Sequence, residues 1–227
     1  MAKVFAKARY ADAFMRGKLH ANRLDRFRQM HTENDPRTDS EEGIAPLQDD
    51  GAPKVLLIPN SQPHRQIALY GPGSLKISRI SNLNLLCMYA GLFESNQPLS
   101  LSDLSVPEEY SKFGPNAVLI TDPAEFIRKV KSAVRRERYS VWRRAIRYVD
   151  PTTLDIEMFS DEIDVAFHKH SKYSSEKEYR FAIETNTQGS NAITLEIGGI
   201  EDIAVRVDTS QINHAIRWLL SRRERRE

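Results

Sequence analysis

Chemistry concentrates in one stretch of this 227-residue chain: Phe167-His168-Lys169-His170-Ser171-Lys172-Tyr173-Ser174-Ser175-Glu176-Lys177-Glu178-Tyr179-Arg180-Phe181-Ala182-Ile183-Glu184. Its second half alternates. Tyr179, Phe181 and Ile183 share one parity; Glu176, Glu178, Arg180 and Glu184 share the other. A period of two predicts a strand with one apolar and one charged face. Side chains two apart on a strand lie about 7 Å from each other, so the heads of Glu176, Glu178 and Arg180 can converge on one ligand. Lys169, His170 and Tyr173, just upstream, add cations and a phenol. The same pattern also fits a solvated strand face holding a structural ion pair. A carboxylate that stabilises an oxocarbenium-like centre, with cations nearby to hold phosphates, is what cleavage of a glycosidic bond at a ribose requires. Glu178 and Glu176 are candidates for the first role. Arg180, Lys169 and the arginines of residues 24–43 are candidates for the second.

Other chemistries lack their residues. Cys87 is the only cysteine, which leaves no disulfide framework and no cysteine-rich zinc site. His168 and His170 flank Lys169 without a histidine–glutamate zinc motif, so no metal is expected. There is no phosphate-cradling glycine loop and no Gly-x-Ser-x-Gly elbow. Cys87, inside an apolar run, reads as a small core residue. The N-terminus lacks a signal-peptide pattern, and no stretch approaches 18 consecutive apolar residues. The expected setting is cytoplasmic, without a membrane partner.

The elements that must position these residues follow from local patterns. Residues 3–8 predict a strand, 10–19 a helix, and 20–24 a returning strand. Residues 24–53 are polar and charged and predict a loop or lid. Residues 84–90 and 117–121 read as strands buried on both faces. Asp122-Pro123-Ala124-Glu125 is a helix start: Asp122 caps, Pro123 takes the first helical position, and the Glu125 side chain can reach back to the cap. The helix runs to about Arg138 on a stripe of Phe126, Ile127, Val130, Ala133 and Val134. Residues 139–148 predict a strand, 159–168 a helix, and 193–197 and 203–207 two strands before a last helix. The tail at 222–227 is expected to fray. The sum is a single α+β domain over 1–227 with a mostly antiparallel, twisted sheet and flanking helices.

Net charge is only +2, but it is unevenly spread. Residues 128–147 hold Arg128, Lys129, Lys131, Arg135, Arg136, Arg138, Arg143, Arg144 and Arg147 against Glu137 alone. Arginine interleaved with Tyr139, Trp142 and Tyr148 suits phosphate contact with base stacking. Arg135, Arg136, Arg138, Arg143 and Arg144 are the candidate nucleic-acid contacts. A basic face that only solubilises the fold fits the same composition.

The order of features resembles an uncharacterised bacterial and phage domain family. Its marks here are Asn34-Asp35-Pro36 or Arg37-Thr38-Asp39 with Glu42, then Cys87-Met88-Tyr89-Ala90, then Phe167, Lys169, Tyr173, Glu176, Glu178, Tyr179 and Arg180. That resemblance adds Asp39 to the candidate catalytic residues, and Arg37 and Tyr89 to the substrate contacts. The Glu-x-Glu strand also resembles the third signature of ADP-ribosyltransferases, in which the second glutamate sits at the ribose. This implies an ADP-ribosyltransferase-like sheet with Glu178 as the catalytic residue. Lys7, Arg9 and His20 compete for that family's first-strand position, and its Ser-Thr-Ser-type second signature has no counterpart. The expected function is an enzyme acting at a ribose or deoxyribose C1′ N-glycosidic bond. Its substrate is expected to be DNA, reached by base flipping, as a DNA glycosylase or DNA-directed ADP-ribosyltransferase in phage conflict. A glycosylase requires no cofactor; a transferase requires NAD. The alternatives are an NAD glycohydrolase, a nucleic-acid-binding module without catalysis, and a regulatory domain whose basic stripe pairs with an acidic partner or with the acidic residues 150–164 of its own chain.

Overall fold

The computed structural model describes residues 1–29, 43–47, 54–58, 65–69, 73–76, 82–91, 104–150, 161–185 and 191–224. It shows an α+β architecture built on a largely antiparallel sheet of eight strands. The first unit is β1 (Ala2–Phe5), α1 (Ala8–Met15) and β2 (Lys18–Arg23). α1 buries Ala11 and Phe14, and Phe14 meets Phe5 at 5.3 Å between ring centroids. Gly17 makes the tight return into β2 with φ of 79°. A Cβ there would lie 1.8 Å from the Gly198 carbonyl oxygen, so both the backbone angle and the close approach require glycine.

Residues 24–53, expected to form a loop, contain regular structure where they are described. Leu24–Gln29 is a short helix, α2, and Ile44–Leu47 is a strand, β3. Leu24 is fully buried against Leu83, Leu85 and Phe167, an anchor that the polar composition around it conceals. β3 pairs with β6 (Gly73–Lys76), β4 (Lys54–Ile58) pairs with β5 (Arg65–Leu69), and β10 (Arg147–Val149) pairs in parallel with β11 (His168–His170), each as a separate two-stranded sheet.

The centre of the large sheet is β7 (Asn84–Tyr89), with β12 (Glu178–Glu184) along one edge in the register Glu178↔Tyr89, Arg180↔Cys87, Ala182↔Leu85. β12 is covered on its other edge by β9 (Ser140–Ala145), with Arg180↔Arg144 and Phe181↔Arg143. β8 (Asn116–Ile120) lies between β1 and β14 (Ala204–Asp208), and β13 (Ile193–Glu196) is paired with β2.

The opposite edge of β7 is shared. β2 pairs at Asn22↔Leu85 and Arg23↔Asn84, while β1 pairs only at Ala2↔Tyr89. Residues 86–88 thus face a split where β1 and β2 diverge around α1. The carbonyl of Cys87, left without a strand partner there, accepts a hydrogen bond from Lys3 Nζ at 2.7 Å. A buried carbonyl demands such a partner.

The helix α3 (Pro123–Arg136) covers one face of the sheet through Phe126, Val130, Ala133 and Val134. Asp122 caps it as the sequence predicts, accepting from Glu125 N at 3.0 Å. The Glu125 side chain does not reach back to the cap; both its oxygens take Arg128 at 2.6 Å, a charge-assisted pair one turn along. The opposite face of β12 and β7 packs against a 3-10 segment, Glu162–Phe167, where a helix was expected. The last helix, α4 (Ile212–Glu224), packs Ile212 and Ile216 against Ala2, Ala117 and Leu119. Among the described residues, no helix is long and apolar enough to cross a membrane.

Candidate active site

The charged face of β12 is not solvated. Glu178 is 5% exposed and Arg180 1%, because β12 is an interior strand with layers on both faces. Alternation assigns the two residues to one face; it does not say whether that face meets water. Glu176 falls outside the strand, ending the 3-10 turn Ser171–Glu176. Lys177, with φ of 38°, breaks the alternation between them. The turn nevertheless brings Glu176 to the same place as Glu178.

The split beside β7 opens into a cavity of about 690 Å³, within the usual range for small-molecule sites. Glu176, Glu178, Arg180 and Lys169 line one end of it together with Lys3 and Cys87. β2 lines another wall with Lys18, His20 and Asn22, three residues of one strand face, and α2 adds Arg26 and Phe27. Tyr10, Tyr89, Tyr110 and Phe113 supply aromatic surface. The cavity therefore carries Lys18, which also lies 3.8 Å from Glu196, and Arg26 on one wall, aromatic rings at its sides, and the carboxylates of Glu176 and Glu178 at and just before the start of β12.

Glu178 is held from several directions. Arg180 Nε donates to its Oε1 at 2.7 Å, and Lys169 Nζ lies 3.6 Å from its Oε2. Arg180 also donates from its Nη1 to the carbonyl of Ala166, which anchors the guanidinium to the covering 3-10 segment. The backbone N–H of Glu178 donates to the Tyr148 hydroxyl at 2.8 Å. Burial alone raises this carboxyl, but Arg180 and Lys169 outweigh it and bring it to about 2. Glu178 is thus an anion at neutral pH, suited to stabilising or attacking a cationic centre and unsuited to donating a proton.

Lys169 joins the two carboxylates, with Nζ 2.6 Å from Glu176 Oε2 and 4.6 Å from the Tyr173 ring centre. Tyr110 donates its hydroxyl to the Glu176 carbonyl and meets Tyr89 edge-on at 5.1 Å. Burial, reinforced by Glu176 and Glu178, pushes the Tyr110 phenol far up; Tyr89 is pushed up to about 12 by burial. Both stay neutral. Burial lowers the Lys3 ammonium, partly offset by Cys87 and Glu178. Burial and the adjacent Glu178 charge push the Cys87 thiol well up, which makes it a poor nucleophile.

The predicted residues thus divide. Glu176, Glu178, Arg180, Lys169, Tyr89 and His20 meet at the cavity. Tyr173 stands behind Lys169 and Lys172 as a cation–π partner. Lys7 precedes α1 as its N-cap, and exposed Arg9 stacks on Tyr10 at 5.0 Å; neither lines the cavity. Arg37 and Asp39 lie outside the described residues. Lys3, Lys18, Asn22, Phe27, Tyr110 and Phe113 were not singled out from the sequence. Lys3 had a signal, a lone cation in an otherwise apolar strand. Tyr110 and Phe113 had none beyond their i, i+3 spacing.

The basic stripe also divides. Arg128, Lys131, Arg135 and Arg143 line one groove of about 330 Å³. Arg144 points to the opposite face of β9, where it pairs with Asp164 and lies over the Phe167 ring at 4.9 Å. Arg136 donates to the Glu196 carbonyl at 2.6 Å and pairs with Glu137. Arg138, in a left-handed conformation with φ of 58°, follows the end of α3. Among the described residues, no group of three or more His, Cys, Asp or Glu side chains is placed to hold a metal ion.

No protein-family model, no curated protein and no solved structure matches the chain.

Proposed function

We propose that the protein cleaves an N-glycosidic bond at the C1′ of a ribose or deoxyribose, with a nucleic acid as its substrate. One observation carries this reading: Glu178, held as an anion by Arg180 and Lys169, sits at the edge of a nucleotide-sized cavity with aromatic sides and a cationic wall. As the C1′–N bond breaks, its electron pair leaves with the base and positive charge develops on C1′ and the ring oxygen; water, in hydrolysis, or an acceptor nucleophile, in transfer, then bonds to C1′ and gives up its proton to the departing base or to solvent. A fixed carboxylate already ionised stabilises that charge without reorganising. Arg180 is a positioning residue, since its Nε and Nη1 bonds fix the Glu178 carboxylate relative to the sheet. Lys18, His20 and Arg26 face the space where phosphates would lie, and Tyr10, Phe27 and Phe113 offer surfaces for a base. The resemblance of the sequence Glu176-Lys177-Glu178 to the third signature of ADP-ribosyltransferases supports the same assignment. The basic residues of 128–147 favour a nucleic acid over a free nucleotide.

The test is mass spectrometry of DNA oligonucleotides incubated with the protein, with and without NAD. Base release without NAD identifies a glycosylase, and an NAD-dependent mass gain identifies a transferase. Glu178→Gln should abolish either product per folded molecule. Equal turnover in wild type and variant would overturn the proposal.

A further inference from the structure

On the face of the sheet covered by α3, the groove between that helix and β9 is lined by four cations, Arg128, Lys131, Arg135 and Arg143, with Ala124, Ile127 and Ser132. Arg128, Lys131 and Arg135 follow one another on the helix at spacings of three and four residues, which is about 4.5 and 6 Å of rise. Arg143 reaches the groove from β9, steadied by its bond to the Tyr179 hydroxyl at 2.8 Å. Glu125 partly neutralises Arg128. The Lys131 and Arg135 side chains have no hydrogen-bond or ion-pair partner among the described residues. Only Ala124 and Ile127 contribute apolar surface, so the groove lacks the aromatic or aliphatic anchor on which a protein interface depends. A row of cations in one groove is the complement of a phosphodiester chain, which carries one negative charge per nucleotide.

The groove and the cavity share no lining residue, and β9 is what links them, since it pairs with the strand that bears Glu178. Among the described residues β9 pairs only with β12, and none of them forms a strand along its far edge. Arg143 stands opposite Phe181, Ala145 opposite Tyr179, and Ile146 N donates to the Glu178 carbonyl at 2.8 Å. A chain following β9 from Arg143 therefore arrives, three residues on, at the end of β12 that bears Glu178.

We propose that this groove binds the phosphate backbone of a single nucleic-acid strand and leads it over the edge of the sheet towards the cavity. The proposal rests on the N-glycosidic reading for its direction, and its binding test is independent of catalysis. The probe is a dye-labelled single-stranded DNA oligonucleotide, titrated by fluorescence anisotropy over a range of salt. The variant is Lys131→Gln/Arg135→Gln/Arg143→Gln, checked for wild-type circular dichroism and melting. Removing three phosphate contacts at about 0.7 unit each should flatten the slope of log affinity against log salt by about 2. Glu178→Gln should keep the wild-type slope, so loss of base release in that variant tests the catalytic reading separately. Equal slopes in the folded triple variant and wild type would overturn the proposal and leave these residues as charges guarding an open sheet edge. Absence of oligonucleotide binding by wild type would overturn it too. Displacement of the oligonucleotide by polyglutamate at equal charge would reassign the groove to an acidic protein.

Discussion

Replacing Glu178 with glutamine tests whether the buried carboxylate is held as an anion, apart from any catalysis. Glutamine has nearly the shape of a protonated glutamate, so the variant mimics Glu178 titrated with acid. Lowering the carboxyl from its ordinary 4.5 to about 2 corresponds to about 3 kcal/mol of folding stability, at about 1.4 kcal/mol for each tenfold change. Part of that loss is Arg180, which is 1% exposed and would keep a neutral carbonyl where it had a full counter-charge. The sign follows from linkage. The folded state holds the proton more weakly than the unfolded chain, so the contribution is present above pH 4.5 and disappears as pH falls towards 2. Urea unfolding at pH 7 should therefore place Glu178→Gln about 3 kcal/mol below wild type. The difference should shrink progressively between about pH 4.5 and pH 2, because wild type loses the charge that the variant already lacks. A difference under about 1 kcal/mol at pH 7, or one unchanged down to pH 2, would show that Arg180 and Lys169 do not hold Glu178 ionised. The oxocarbenium role would then lose its electrostatic basis.

Further tests address the split and the turn that frames it. Lys3→Met should leave the Cys87 carbonyl without its donor and cost about 1–3 kcal/mol, read by urea unfolding; a neutral change would mean that water satisfies this carbonyl as well as Lys3 does. Gly17→Ala should destabilise by more than 1 kcal/mol, since the Cβ meets the Gly198 carbonyl at 1.8 Å on a backbone with φ of 79°; an unchanged melting temperature would contradict that contact. The Cys87 thiol, raised by burial and by Glu178, should resist alkylation by iodoacetamide at pH 8 in the native protein and react on unfolding. Rapid native modification would show that the thiolate is accessible and the cavity floor differently charged.

The contrast between β12 and α3 shows which parts of the fold can be read from a sequence. Both were legible as elements, because strand parity and helix capping depend on neighbours a few residues away. The strand's environment depends on β7, β9 and the 3-10 segment Glu162–Phe167, which are distant in the chain. Glu178 and Arg180 look solvated until those layers are in place; once covered, each makes the other tolerable. The same limit applies to Arg143 and Arg144. They are adjacent in a basic run, yet a strand sends neighbours to opposite faces, so one enters the cationic groove and the other pairs with Asp164. Charge density was visible in the sequence, whereas its division between two faces required the register of β9 on β12.

Lys3 marks the other boundary. Its lone charge in an apolar strand is visible, but its use is created by topology. β1 and β2 compete for one edge of β7 and each pairs along only part of it. The unpaired stretch exposes a backbone carbonyl in the middle of a sheet, where no ladder can satisfy it. A lysine from the first strand is long enough to cross the split and donate to Cys87. That bond places an ammonium beside Glu178 on the cavity floor, across from Lys18 of β2. The device that satisfies the broken ladder thus also makes the cavity receptive to an anionic ligand. Under the proposed reading, Arg180 and Lys169 keep Glu178 ionised, and Lys18 and Arg26 across the cavity are left to meet the phosphates. The sheet's split, the cation that spans it and the ionised glutamate therefore form one electrostatic unit, and replacing Lys3 should weaken ligand affinity as well as the fold.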